Sequence, residues 1–209
     1  MHTLETFRRA ITMADCGESK CDNKCIEALD KHAQTGAGTR RLLNNLLSTD
    51  EETYLEVGMY HGGSFASALY GNRVKCAYGI DMLHKGYEET MRADIISNTW
   101  RFHKPENGRV VIHFEDAFKF ELCRILDPIT VYLYDADHSV EGHRKGIAYF
   151  WPVLAKRFVL IVDDWSWGDV MAGTEAGLKE VGASTILAKE TLMDMGKYYT
   201  GVALWLIEK

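Results

Sequence analysis

From about residue 53 onward, short apolar runs alternate with helix-spaced segments, and an acidic residue stands at or just past the end of each run. The runs cover residues 53–57, 74–80, 109–114, 129–135 and 158–162, and the helical segments between them cover 63–70, 87–102, 117–126 and 140–154. Runs this continuous lack the apolar–polar alternation of a sheet with one wet face, so both faces must be covered. Strand–helix–strand alternation of this kind builds a parallel sheet. Beyond Trp167, a helix over 170–181 leads to two more strands, 184–188 and 198–207, and the intervening 189–197 suits an antiparallel pair. The expected fold is α/β: a Rossmann-like seven-stranded sheet, parallel except for a C-terminal antiparallel strand, with helices on both faces. Such open sheets bind ligands outside the carboxyl ends of their strands.

Residues 1–50 read as a helical lead-in rather than a second unit, so a single domain over 1–209 is expected. A helix over 3–14 carries Leu4, Phe7 and Ile11 at helical spacing, a second spans 24–34, and a third buries Leu42, Leu43, Leu46 and Leu47. Cys16, Cys21 and Cys25 lie in this region. Their spacing matches no familiar zinc or iron–sulfur pattern. They read as reduced thiols, the alternative being a metal site completed by His32. A net charge of −6 argues against a duplex nucleic-acid partner. No apolar run approaches the roughly 20 residues of a membrane span. The N-terminal stretch lacks the apolar core of a signal peptide, so a cytoplasmic setting is expected. A homo-oligomer is left open.

The strand ends carry the chemistry. The first runs into Glu56-Val57-Gly58-Met59-Tyr60-His61-Gly62-Gly63-Ser64. Glycine in this turn lets a ligand approach the backbone, and the following helix start suits an anionic group. The alternative reading is tight packing in a crossover. The second strand ends on Asp81, placed to accept ribose hydroxyls. The third leads to Glu115-Asp116-Ala117, where Asp116 reads equally as a contact to an exocyclic amine and as a helix N-cap. The fourth gives Asp135-Ala136-Asp137-His138-Ser139, and the fifth Asp163-Asp164-Trp165. Four carboxylates on neighbouring strand ends are costly to bury unless they take up protons or bind a cation. Oxygen-only ligands favour magnesium or calcium. Asp163 and Asp164 face opposite ways on a regular strand, so both reach one ligand only if the strand ends or bends there.

Together, EVGxxxGGS, a strand-end Asp, DADHSVEGHRKGI and VLIVDDW resemble the class I S-adenosylmethionine-dependent methyltransferases. The resemblance is nearest to the small-molecule O-methyltransferases that carry a D-x-D-H-S-x-E-G segment followed by DD, of the macrolide-sugar and cephalosporin-tailoring type. It covers roughly residues 50–165. It implies S-adenosylmethionine held by Glu56, Gly58, Met59, Tyr60, Gly62, Ser64, Asp81, Met82, Asp116, Ala117 and Asp135. It implies Mg2+ on Asp135, Asp163 and Asp164, and Asp137 as the general base, with His138 as the alternative. The implied reaction is methyl transfer to a hydroxyl of a sugar- or polyol-like small molecule. Trp165, Trp167 and Tyr60 are expected as an apolar wall near the acceptor. Three positions depart from the family pattern. Tyr60 stands at a position that is more commonly glycine, 155–158 replace a Pro-Gly-Gly turn, and Gly146 stands where this branch often has an acid. Two other readings stay open: a nicotinamide-dinucleotide oxidoreductase, disfavoured by the absent GxGxxG, and a non-catalytic nucleotide-binding or assembly domain.

Overall fold

The computed structural model describes residues 2–49 and 51–209; Met1 and Asp50, at the two ends of the expected lead-in, lie outside the described residues. Three helices come first: α1 (Leu4–Asp15), α2 (Asn23–Leu29) and α3 (Ala37–Leu46). Thr3 and Thr6 close α1 with reciprocal side-chain-to-backbone bonds, which satisfy two of the free amides of its first turn. The helix expected over 24–34 is shorter: it stops at Leu29, and Asp30–His32 tighten into one 3₁₀ turn.

The sheet then builds as β1 (Thr53–Val57), α4 (Gly63–Leu69), β2 (Cys76–Ile80), α5 (Glu88–Phe102), β3 (Arg109–His113), β4 (Ile129–Tyr134), α6 (Val140–Phe150), β5 (Leu154–Val162), α7 (Gly168–Glu180), β6 (Thr185–Leu192), α8 (Met195–Tyr198) and β7 (Val202–Glu208). Its seven strands lie in the order β3-β2-β1-β4-β5-β7-β6. β1 to β5 pair in parallel, and β7 runs antiparallel to both β5 and β6. The sequence-derived fold class therefore holds. Strand order reverses between β1 and β4, which opens a crevice at their carboxyl ends.

Both faces are covered, as the apolar strands require. On one face Tyr54, Val131, Leu133 and Ile161 pack with Phe7 of α1, the leucines of α3, Phe65 of α4 and Ile95 of α5. On the other, Leu55, Tyr132, Tyr134 and Leu160 pack with Ile147 and Phe150 of α6 and Val170 of α7. Asn44, fully buried on α3, ties the lead-in to the sheet layer. Its Oδ1 accepts the Cys21 amide, and its Nδ2 donates to the carbonyls of Ser67, Ala68 and Tyr70.

Four further segments differ from expectation. Residues 117–126 form no α-helix but a turn followed by a 3₁₀ turn at Leu122–Arg124, because Asp116 caps the turn at Phe118, Lys119 and Phe120. β6 continues through residues expected as a loop; its half-exposed pattern is that of an edge strand paired on one side only. Tyr198 lies in the short helix α8, not in β7. The residues 155–158 sit inside β5, which starts earlier than expected because Leu154 pairs with Ile129 of β4 and Arg157 with Glu208 of β7. Among the described residues no helix is long and apolar enough to cross a membrane.

Candidate functional site

A cavity of about 480 Å3 opens at the carboxyl ends of β1, β2, β4 and β5. The loop after β3 and residues 32–35 of the lead-in complete its wall. The volume falls within the roughly 300–1,000 Å3 usual for small-molecule and cofactor sites.

The turn after β1 forms one side. Gly58 has φ +89°, and a Cβ there would lie 1.8 Å from the carbonyl oxygen of Asp135. Only glycine lets the ends of β1 and β4 come this close. Tyr60, at the position more commonly glycine, keeps the left-handed backbone with φ +52°. That conformation costs a β-carbon-bearing residue on the order of 1–2 kcal/mol. The Asp81 carboxylate offsets it: Oδ2 accepts the amides of Met59 and Tyr60 at 2.7 and 2.9 Å, and Oδ1 accepts that of Leu83 at 2.6 Å. A carboxylate offers roughly four acceptor positions, so Asp81 keeps about one for a ligand.

Two residues assigned to cofactor contact stand behind the wall instead. Glu56 is fully buried, its Oε1 accepting from the Ser64 hydroxyl and its Oε2 from the Tyr54 hydroxyl, each at 2.5 Å. Burial, opposed by those two bonds, pushes its carboxyl up to about 8. Gly62 has φ +79° and packs against Ile95. Both shape the turn without lining the cavity. Met59, Tyr60, Ser64, Asp81 and Met82 do line it, as do Asp116, Ala117 and Asp135. Asp116 serves as a cap, accepting the Phe118 amide at 2.9 Å, while still facing the cavity.

The remaining wall is acidic. β5 ends at Val162, and Asp164 takes a left-handed backbone with φ +55°. This bend brings the successive carboxylates of Asp163 and Asp164 to one cavity. His138 Nε2 lies 2.8 Å from Asp164 Oδ2 and 3.5 Å from Asp135 Oδ1. Those two carboxylates raise the imidazole to about 10, so it is a cation at neutral pH. Burial raises Asp164, but the bonds from His138 and Thr200 outweigh it and hold the carboxyl below its usual value. Asp163 is pushed well above the carboxylate range by burial and by the neighbouring Asp135 and Asp164. Its Oδ1 is buried with no hydrogen-bond partner.

The trio whose ligand atoms lie within 4.8 Å of one another is thus Asp135, His138 and Asp164, not the expected three carboxylates. His138 supplies positive charge between two of them, and Asp163 stands beside the trio. Asp137 also faces the cavity, its Oδ1 accepting the Ser139 amide at 3.0 Å. Gly146 explains its own departure from the family pattern: a Cβ there would lie 2.4 Å from the Tyr134 ring, leaving no room for an acid.

Of the aromatic residues expected near the acceptor, Tyr60 and Trp167 line the cavity, with the Trp167 ring 5.1 Å from His138. Trp165 does not; it packs edge-to-face on Trp205 in the core. Sequence reasoning missed Gln34, Thr35, His84 and Phe118 and placed His32 with the cysteines. Nothing in residue spacing signals that the lead-in folds back over the strand ends. The cysteines are free; Cys21 and Cys25 are buried with their sulfurs 3.0 Å apart, while His32 pairs with Asp94.

Six carboxylates line the cavity (Asp81, Asp116, Asp135, Asp137, Asp163 and Asp164) with no lysine or arginine among the described lining residues. This field favours a cationic ligand and opposes a pyrophosphate.

Comparison with known proteins agrees with the architecture. The chain is 26% identical over 133 residues to an uncharacterized protein of Acanthamoeba polyphaga mimivirus, a match covering 59% of this chain and 58% of that protein, so the match spans under three fifths of the relative. A putative caffeoyl-CoA O-methyltransferase from Staphylococcus aureus superposes with a TM-score of 0.61 at 13% identity, covering 98% of this chain and 100% of that one. An O-methyltransferase of tomaymycin synthesis from Streptomyces achromogenes, solved with S-adenosylmethionine, gives a TM-score of 0.60 at 16% identity, covering 96% and 90%. An O-methyltransferase from Bacillus cereus, solved with S-adenosylhomocysteine, gives 0.57 at 16% identity over 100% and 93%. At these identities the likeness is one of fold. A methyltransferase-domain family model matches residues 55–165, just over half of the chain, and its span runs from inside β1 through the acidic wall. On that match, the chain belongs to the methyltransferase-domain family.

Proposed function

We propose that this protein is an S-adenosylmethionine-dependent methyltransferase that methylates a hydroxyl group of a small polar molecule, sugar- or polyol-like. One observation carries the reading: a cavity of cofactor size at the strand-order reversal whose titratable groups are six acids and a few histidines, and which stays acidic even with Asp163 protonated and His138 charged. S-adenosylmethionine carries a sulfonium and an ammonium, so this field attracts it and disfavours the pyrophosphate of a nicotinamide dinucleotide. The ligands of the similar structures support the choice of cofactor.

In this reading Gly58, Met59, Tyr60 and Ser64 cradle the methionine part, with Glu56 and Gly62 holding the turn from behind. Asp81 takes a ribose hydroxyl through its remaining acceptor position. The adenine lies between Met82 and Ala117, with Asp116 at its edge. Asp135 faces the sulfonium end of the cavity and marks the junction with the acceptor. Methyl transfer needs the acceptor oxygen held in line with the methyl group and relieved of its proton. Asp137 receives that proton; His138, a cation while it bridges Asp135 and Asp164, becomes the alternative base only when it loses its charge.

The donor set fits a divalent cation such as Mg2+, since Asp163 offers a buried, unpartnered oxygen beside the Asp135 and Asp164 carboxylates. Asp135, Asp163 and Asp164 would hold it, and a bound cation would lower the acceptor hydroxyl's pKa. His138 and the cation compete for the same two carboxylates.

Calorimetric titration with S-adenosylhomocysteine and with NAD tests the reading. Binding of the former and not the latter is expected. Binding of NAD alone overturns it in favour of an oxidoreductase, and binding of neither favours a non-catalytic domain.

A further inference from the structure

A second group of potential ligand atoms lies beside the cofactor turn, where His32 reaches the cavity wall. His61 Nδ1 is 2.7 Å from Asp94 Oδ2, and His32 Nδ1 is 3.4 Å from the same oxygen. The ligand atoms all lie within 4.8 Å of one another. The three residues come from separate parts of the chain: the turn after α2, the turn after β1, and α5. The side chains are 14–29% exposed, reachable by an ion yet largely shielded. His32 Nδ1 makes no hydrogen bond despite its burial, because its approach to Asp94 lacks the geometry of one.

We propose that His32, His61 and Asp94 form a transition-metal site, of the kind that takes zinc, separate from the acidic trio at β4 and β5. Two imidazoles and one carboxylate are a borderline-soft donor set, unlike the all-oxygen set suited to magnesium. Metal–ligand distances of about 2.0–2.1 Å in a tetrahedron place the ligands about 3.3 Å apart. The His32–Asp94 spacing already meets this, and the His61–Asp94 pair meets it after opening by roughly half an ångström. A solvent water completes the fourth position. Coordination through both Nδ1 atoms leaves each Nε2 as the protonated nitrogen.

The surrounding scaffold fixes the ligands. Asn98, one helical turn beyond Asp94 on α5, donates to the His61 carbonyl at 3.0 Å and holds the turn against the helix. Gly63 lets the lead-in approach: a Cβ there would lie 2.6 Å from the His32 carbonyl oxygen. His32 opens the segment 32–35, which forms part of the cavity wall. An ion at this point joins that segment to the cofactor turn and to α5, so it braces the cavity wall. The inference does not depend on which reaction the cavity performs.

The test is titration of the full chain, stripped of metal with a chelator, with Co2+ while recording the visible d–d bands. We expect one equivalent bound in four-coordinate form, displaced by Zn2+. His32→Gln and Asp94→Asn should each weaken binding at least tenfold, while the Asp135→Asn/Asp164→Asn double variant keeps it. Unchanged far-ultraviolet circular dichroism shows that each variant is folded. Absence of Co2+ binding in the wild type overturns the proposal, as does binding that survives both His32→Gln and Asp94→Asn. Intense thiolate charge-transfer bands overturn it in favour of Cys21 and Cys25, and loss only in the Asp135/Asp164 variant overturns it in favour of the acidic trio. A zinc-induced rise in the thermal midpoint, present in the wild type and absent in Asp94→Asn, is a second expected result.

Discussion

Replacing Glu56 by glutamine should change how stability depends on pH more than stability itself. Glu56 is fully buried, and burial lifts its carboxyl from 4.5 to about 8. A raised acid holds its proton in the folded state over a range where the unfolded chain has released it. Stability is therefore greatest below 4.5 and is lost as pH rises through 4.5 towards 8. Between pH 5 and pH 8 this single group costs the wild type about 3 kcal/mol. Glutamine keeps the shape but not the titration. Its amide must meet the Tyr54 and Ser64 hydroxyls with one donor facing a donor until a hydroxyl turns, at a cost of about 1 kcal/mol. The two proteins should thus agree within about 1 kcal/mol at pH 5, while at pH 8 Glu56→Gln is ahead by about 3 kcal/mol. For a domain of this size that is a difference in thermal midpoint of about 6–12 °C at pH 8. Paired thermal or urea unfolding curves across this range supply the assay, and the variant-minus-wild-type difference cancels the other titrating groups. Parallel pH profiles would refute the reasoning, since they require Glu56 to be ionised in its pocket.

Gly58→Ala should destabilise the protein by about 3 kcal/mol or more and weaken S-adenosylhomocysteine binding, because it combines a strained left-handed backbone with a clash on the Asp135 carbonyl; urea unfolding and calorimetry check both. Asn44→Ala should cost about 2–4 kcal/mol, since it orphans the buried Cys21 amide and removes the donor to three carbonyls; urea unfolding measures it, and a loss below 0.5 kcal/mol would contradict the assigned network. Metal-free protein followed by histidine-resolved NMR should show His138 charged to about pH 10 and His143 neutral down to about 4. The His138 contribution to stability is complete below 6.5 and lost as pH rises through 10, whereas the His143 contribution is present above 6.5 and lost as pH falls towards 4. Midpoints near 6.5 for both would contradict the assigned environments.

How far the sequence reveals this site depends on which interactions decide each part. The parallel strands are legible because burial on both faces imposes apolar runs, and the strand ends follow from them. The bend at Asp163 and Asp164 is legible as a requirement, since two adjacent carboxylates reach one cavity only where a strand stops. Residues 117–126 mislead because Phe118, Leu122 and Ile125 fall at the i, i+4, i+7 spacing of a helix, while the local bonds of Asp116 enforce a turn. β6 misleads because an edge strand need bury only one face against one neighbour, so its polar second half resembles a loop. The role of Glu56 is hidden for another reason. Its sequence position is that of a ligand contact, but both of its oxygens are taken by Tyr54 and Ser64, and only the packed structure shows it. The approach of residues 32–35 to the cavity has no local signal, because it arises from the close contact of Gly63 with His32 and Ala33, far away in sequence.

The most direct measurement is a crystal structure of the protein grown with S-adenosylhomocysteine. The account predicts density for the nucleoside inside the strand-end cavity, with the ribose against Asp81, the adenine beside Met82 and Ala117, and the sulfur near Asp135. Density for the nucleoside elsewhere on the molecule, or in the cavity with its ribose remote from Asp81, would contradict it.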